Sequence, residues 1–177
     1  MSKLEWDEGK NRINLRKHGI DFETAARVFL SPYMEIWDEA HSGVNRYGEW
    51  EDRYTTLGWV DDVLYVVYTV RDYEDDKYIR LSSARIAESD ERTCIFAGWK
   101  EDDRGGDAMK QTFVNEDGRT ITRMDLADLG PLSPRQREMV REAARRPVEY
   151  DEDCPPLSPA MREAAERMIA AGTRHAQ

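Results

Sequence analysis

Positive charge is scarce in this sequence. Its 177 residues hold 26 Lys and Arg against 36 Asp and Glu, a net charge of −10. Such a surface repels polyanions and argues against general nucleic-acid binding. Cysteine is scarcer still: Cys94 and Cys154 stand far apart with no ligand-like spacing, which speaks against a disulfide framework and a zinc site. No set of His, Cys and carboxylate residues has metal-ligand spacing, so no metal and no other cofactor is expected. Of the three histidines, His41 and His175 lie in polar surroundings and carry no signal. No apolar run nears the ~20 residues that a membrane-spanning helix needs. The first seven residues lack the apolar stretch of a signal peptide. A cytoplasmic protein without a membrane partner is the expectation.

What is present is an α+β pattern. Apolar residues make up 40% of the chain, enough for a core. Asp7 suits the N-cap of a first helix, which Gly19 ends. Asp21 caps a second, whose Phe22, Ala25, Ala26, Val28 and Phe29 form an apolar face. Strand patterns follow at 33–37, 53–60, 63–70 and 77–84, with a long polar loop over 38–51. The run 63–70 (VLYVVYTV) is apolar on both faces and reads as the central strand. Short acidic turns at 61–62 and 72–76 favour antiparallel neighbours. Ser89 is placed to cap a helix carrying Ile95, Phe96 and Trp99. The first hundred residues thus predict two helices on a four-stranded antiparallel sheet, plus a helix.

Composition shifts near Arg104, Gly105, Gly106 and Asp107, which suggests one domain over 1–104 and a tail over 105–177. In the tail, 111–114 and 119–124 flank Asn115, Glu116, Asp117 and Gly118, a hairpin signal. Residues 131–138 (PLSPRQRE) are echoed by 156–163 (PLSPAMRE). Each copy offers a Ser N-cap followed by Pro at the first helical position. The helices that follow, about 12 residues each, are marginal alone in water and need a surface to dock on.

The first half resembles the BrnT family of type II toxins, ribonucleases similar in fold to RelE. The resemblance rests on Glu5, Trp6, Asp7, Lys10, Asn14, Lys17, His18 and Gly19, then Phe22, Ala25, Ala26 and Phe29. It continues through Arg53, Gly58, Val67, Tyr68, Thr69 and Arg71 to Arg80, Ser82, Ser83, Ala84, Arg85, Ala87 and Glu91. The ordered set is the specific part, above all W-D…K…N…K-H-G and S-A-R-x-A. The stretch from Glu149 to Ser158 (EYDEDCPPLS) resembles the acidic segment of BrnA-type antitoxins. Those antitoxins continue into a ribbon-helix-helix DNA-binding segment. This chain ends at Gln177 without one, so DNA binding is not expected.

The resemblance implies a metal-independent endoribonuclease toxin, restrained in cis by its antitoxin-like tail. The alternative is a catalytically inactive toxin fold that serves as a protein–protein interaction or decoy module. Expected partners are RNA and the chain's own tail or an antitoxin protein, with room for a homo-oligomer. In such enzymes the RNA 2′-hydroxyl attacks the adjacent phosphate. A base, an acid and positive charge for the transition state are required. His18, Glu51, Arg53, Arg71, Arg80 and Arg85 are the candidates for that chemistry, with Lys17 and Ser82 for RNA binding. Arg matches phosphate geometry, and His18 titrates near neutrality.

Each candidate also has a plain structural reading. His18 precedes a helix-ending Gly, where a cation satisfies carbonyls and the helix dipole. Arg on antiparallel strands is commonly paired to carboxylates, Arg85 with Glu88 or Asp90 for instance. Glu51 lies in an acidic run. Charge cuts against an active nuclease: residues 1–104 hold 15 basic and 23 acidic residues, so any RNA site must be a local basic cleft.

Overall fold

The structure, a computed structural model, describes residues 3–73, 76–94 and 110–171. The first strand, β1 (Lys3–Asp7), runs straight into α1 (Glu8–His18) because Asp7 turns from extended backbone and accepts a hydrogen bond from the Lys10 amide at 3.1 Å. Gly19 ends α1 in the left-handed region (φ 75°), its N–H donating to the Leu15 carbonyl. Asp21 caps α2 (Phe22–Ala26), which tightens into a 3-10 turn over Arg27–Leu30. The expected apolar face of this segment is wholly buried.

Among the described residues, seven strands make the main sheet. After β1 come β2 (Tyr33–Trp37), a small ribbon of β3 (Gly43–Val44) and β4 (Trp50–Glu51), then β5 (Arg53–Trp59), β6 (Val63–Tyr73) and β7 (Asp76–Ile86). The hairpin of β8 (Lys110–Val114) and β9 (Thr120–Asp125) completes them. The order is β2-β5-β6-β7-β1-β9-β8, and the β3–β4 ribbon stands apart as its own two-stranded sheet. Within the main sheet, β1 pairs parallel with β7, and the other neighbours are antiparallel.

The four-stranded sheet expected from sequence is therefore corrected to seven. The 33–84 meander forms, but β1 and the hairpin extend it. Five residues of β1 are too few to reveal a period. Its partners, near residues 79 and 123, are remote in sequence. Ser89 is corrected too: Glu88 is the N-cap of the short α3 (Ser89–Arg92), in a reciprocal capping box with Glu91. Ile95, Phe96, Trp99 and the 104–107 junction lie outside the described residues.

The two faces of the sheet have different fates. Leu4, Trp6, Leu64, Val66, Tyr68, Leu81 and Met124 point to one face. There they pack with α2, the 3-10 turn and α4 (Pro134–Ala144), which contributes Val140 and Ala143. On the other face, Met34, Ile36, Leu57, Tyr65 and Val67 are covered by Cys154, Leu157 and, from α5 (Pro159–Ala171), Met161 and Ala165. Burying a Leu or Met side chain is worth roughly 1.5–3 kcal/mol. Docking of this C-terminal segment is therefore chiefly apolar. The remainder of the second face is polar and open.

Where β1 leaves β7, α1 takes over the strand edge through one side chain. Buried Asn14 donates to the Ala84 and Ile20 carbonyls, both at 2.8 Å, and accepts from the Ala84 amide at 3.0 Å and the Ser83 hydroxyl at 2.9 Å. These bonds, rather than an apolar stripe, seat α1, whose Ile13 and Leu15 remain exposed.

Candidate active site

Glu5 organises the open half of the second face. Its carboxylate is fully buried, and it accepts from Arg80 Nη1 at 2.7 Å and Arg123 Nε at 2.8 Å, with Arg71 Nη1 at 4.0 Å. Burial alone would raise this carboxyl. The hydrogen bonds from Arg80 and Arg123 outweigh it and hold Glu5 below the usual carboxylate range. Register explains the convergence: Glu5 lies opposite Arg80 on one side and Arg123 on the other.

Over this anchor opens a groove of about 430 Å³. Strands β6 and β7 supply Thr69, Arg71, Arg80 and Ser82, α1 supplies Lys10, and the β8–β9 turn supplies Asn115 and Arg119. The β3–β4 ribbon closes it with Asn45, Arg46, Tyr47 and Glu51. Five cations and one carboxylate, Glu51, thus line the groove. Glu51 Oε1 meets Arg71 Nη2 at 2.5 Å and accepts from the Asn45 amide at 3.0 Å. The β6–β7 ladder shifts register beside the groove, with Val67 opposite Ser83 and Tyr68 opposite Leu81. Ser82 is the bulged residue left between them, a device that re-aims side chains near sites. Arg46 and Tyr47 both bond Asp117, which ties the ribbon to the β8–β9 turn.

A second group lies beneath the acidic stretch. Lys17 Nζ reaches Asp151 Oδ2 at 2.7 Å, and His18 Nε2 stands 3.6 Å from the same oxygen. Lys10 Nζ, on the groove rim, pairs with Asp153 at 3.1 Å. Arg53 donates to the carbonyls of Asp153 (2.8 Å) and Glu152 (3.4 Å), and its Nε is 3.3 Å from Asp38. His18 is buried. Desolvation, with the Arg85 and Lys17 charges nearby, pulls its pKa down against the opposing pull of Asp151. Arg85 is buried deepest. Its fork grips Glu91 at 2.6 and 2.7 Å, and its guanidinium lies 3.8 Å from the Tyr65 ring centroid and 5.1 Å from that of Tyr150. Cys154 is fully buried beside it, its thiol pushed up to about 11 by desolvation.

Residues 6–91 match the BrnT family. That family is described as a ribonuclease toxin, BrnT, of a type II toxin–antitoxin system. No curated protein matches the chain. The BrnT span is a little under half of the sequence. It holds Lys10, Lys17, His18, Glu51, Arg53, Arg71, Arg80, Ser82 and Arg85. Asn115, Arg119 and the acidic stretch lie beyond it.

The eight residues singled out from sequence thus fall into two places. Glu51, Arg71, Arg80 and Ser82 share the groove; Lys17, His18, Arg53 and Arg85 lie against the C-terminal segment. Sequence reasoning left out Lys10, Arg46 and Arg119 as groove cations, and Glu5 as the anchor of Arg80 and Arg123. Lys10 and Glu5 were within reach, since both belong to the BrnT-like motif. Arg119 follows a turn and carries no sequence signal of its own. Among the described residues no three His, Cys, Asp or Glu side chains gather as a metal site, and no helix is long and apolar enough to cross a membrane.

Proposed function

We propose that the chain is a metal-independent endoribonuclease toxin whose acidic C-terminal stretch restrains it in cis. The observation that carries this reading is the gathering of Lys10, Arg46, Arg71, Arg80 and Arg119 around one carboxylate in a chain of net charge −10. A local cationic groove on an acidic protein marks a site for a specific anion rather than general nucleic-acid affinity. Glu51 takes the proton from the RNA 2′-hydroxyl, whose oxygen attacks the neighbouring phosphorus. Arg71 and Arg80 stabilise the extra charge of the transition state. The P–O5′ bond breaks, leaving a 2′,3′-cyclic phosphate, and the departing oxygen takes its proton from Lys10, the one ammonium in the lining. Arg119 holds a flanking phosphate. Arg85, its fork already held by Glu91, braces the sheet under the acidic stretch.

The acidic stretch supports the restraint. Asp151 and Asp153 occupy Lys17 and Lys10, and the backbone of 152–153 occupies Arg53. These are contacts that phosphates would otherwise make. The partner of a separate antitoxin would be this same surface, with the cis segment displaced.

A second reading has its own observation. Arg71 and Arg80 already hold carboxylates, Glu51 and Glu5, so the groove would also suit a catalytically inactive interaction module. Purified full-length protein carrying Asp151→Asn and Asp153→Asn, which lifts the acidic stretch from Lys17 and Lys10, separates the two. With labelled single-stranded RNA in EDTA, cleavage is expected to persist undiminished and to leave cyclic-phosphate ends. Absence of cleavage with or without magnesium would favour the interaction module. Cleavage that needs magnesium would overturn the metal-independent chemistry.

A further inference from the structure

A second groove, of about 360 Å³, lies on the other side of Glu5. Its walls differ from those of the first. Arg123 forms its centre, with its guanidinium 4.5 Å from the Tyr78 ring centroid and 4.8 Å from that of Phe113. Phe113 keeps 37% of its surface exposed. Gln111 and two carboxylates, Asp125 and Asp128, complete the lining with Lys3, whose ammonium also bonds Asp76. Two cations thus face two acids. That balance suits a neutral, flat group with hydrogen-bond donors on its edge and turns phosphate away. The volume is that of a small-molecule site.

The link to the first groove is Glu5 itself. One of its carboxylate oxygens holds Arg80, which lines the first groove, and the other holds Arg123, which lines the second. The two grooves therefore adjoin across a single carboxylate on the same face of the sheet. Single-stranded RNA is recognised by this combination: cations along the backbone, and aromatic or guanidinium planes that stack on unpaired bases.

We infer that the Arg123 groove is a base-binding subsite, which takes an unpaired nucleobase of the RNA whose phosphate lies in the Arg71–Arg80 groove. Phe113 and Arg123 offer the stacking planes, with Tyr78 buried behind Arg123, and Asp125 and Asp128 accept from base amino groups, as carboxylates do from cytosine. The inference rests on the groove being an RNA site. It assigns base selection to a hairpin outside the BrnT-matched residues.

The test uses the full-length chain and two uncleavable 2′-O-methyl strands of equal length, one of cytidines and one abasic. Binding is read by fluorescence anisotropy at fixed salt. Phe113→Ala is expected to weaken the cytidine strand about tenfold, in the range of one lost base–aromatic stack, and to leave the abasic strand unchanged. Arg119→Ala should weaken both strands alike. The melting temperature of Phe113→Ala reports that the fold is kept. If Phe113→Ala leaves the cytidine strand unaffected, or weakens both strands equally, the subsite is overturned while the groove stands. If neither strand binds the unsubstituted protein, both readings fall.

Discussion

Replacing Glu91 by Gln should lower the stability of the chain by about 3–5 kcal/mol, the range for breaking a buried ion pair from one side. Glu91 is fully buried, and Arg85, its partner, is 1% exposed. Gln keeps the shape but leaves the guanidinium charge between the Tyr65 ring and backbone carbonyls alone. Glu91 does more than pair: it accepts the Glu88 amide at 2.8 Å, closing the α3 cap, and the Leu157 amide lies 3.4 Å from its other oxygen. The loss therefore reaches the C-terminal segment. For a chain of this size, each kcal/mol moves the melting temperature by roughly 2–4 °C, so a drop on the order of 10 °C is expected. Arg85→Lys should move it in the same direction, because an ammonium cannot hold both Glu91 oxygens as the fork does. Unchanged melting in both variants would mean that the pair does not brace the sheet.

The Arg85 case illustrates how much of this molecule its sequence discloses. A strand-to-helix junction was legible from the alternation of 77–84 and the polar run after it. The partner was narrowed to neighbouring acids, Glu88 or Asp90, yet the pair formed is with Glu91. Nothing in the local pattern told that Arg85 would be covered by a segment 65 or more residues later, through Tyr150 and Pro155. Local signals fared well where one residue decides the geometry. Asp7, Gly19, Asp21 and Ser133 cap helices as their types dictate. The β8–β9 hairpin formed around its Asn-Glu-Asp-Gly turn.

Long-range pairing was the illegible part. The place of β1 between β7 and β9 follows from the burial of Leu4 and Trp6, and from the polar bonds of Glu5 on the opposite face. A five-residue strand gives no period from which to foresee either. The candidate groove shares this limit. Sequence names Arg71, Arg80 and Glu51 together as candidates for one chemistry, but only the register brings them onto one surface.

The largest functional effect is expected at Glu51. As general base it should contribute at least about a hundredfold to the rate. Glu51→Gln removes the base but also releases Arg71 from its 2.5 Å contact. With one carboxylate fewer beside it, and Glu5 still 4.0 Å away, its guanidinium then offers RNA phosphate more attraction. The expected signature is a kcat about a hundredfold lower with a KM that does not rise. A structural role for Glu51 would instead lower both stability and apparent affinity. Single-turnover cleavage with saturating RNA, alongside thermal melting, separates these outcomes.

The claim that a groove for RNA is held in check by the chain's own acidic stretch is tested most directly by cleavage after neutralising that stretch. Asp151→Asn with Asp153→Asn removes the partners of Lys17, His18 and Lys10, while Leu157, Met161 and Ala165 keep the segment docked. RNA cleavage by this full-length variant and by the unsubstituted chain is to be compared at equal concentration in EDTA. Cleavage several-fold faster in the variant, and lost again when Glu51→Gln is added, is the predicted result. Equal rates would contradict the restraint, and no cleavage by either protein would contradict the nuclease itself.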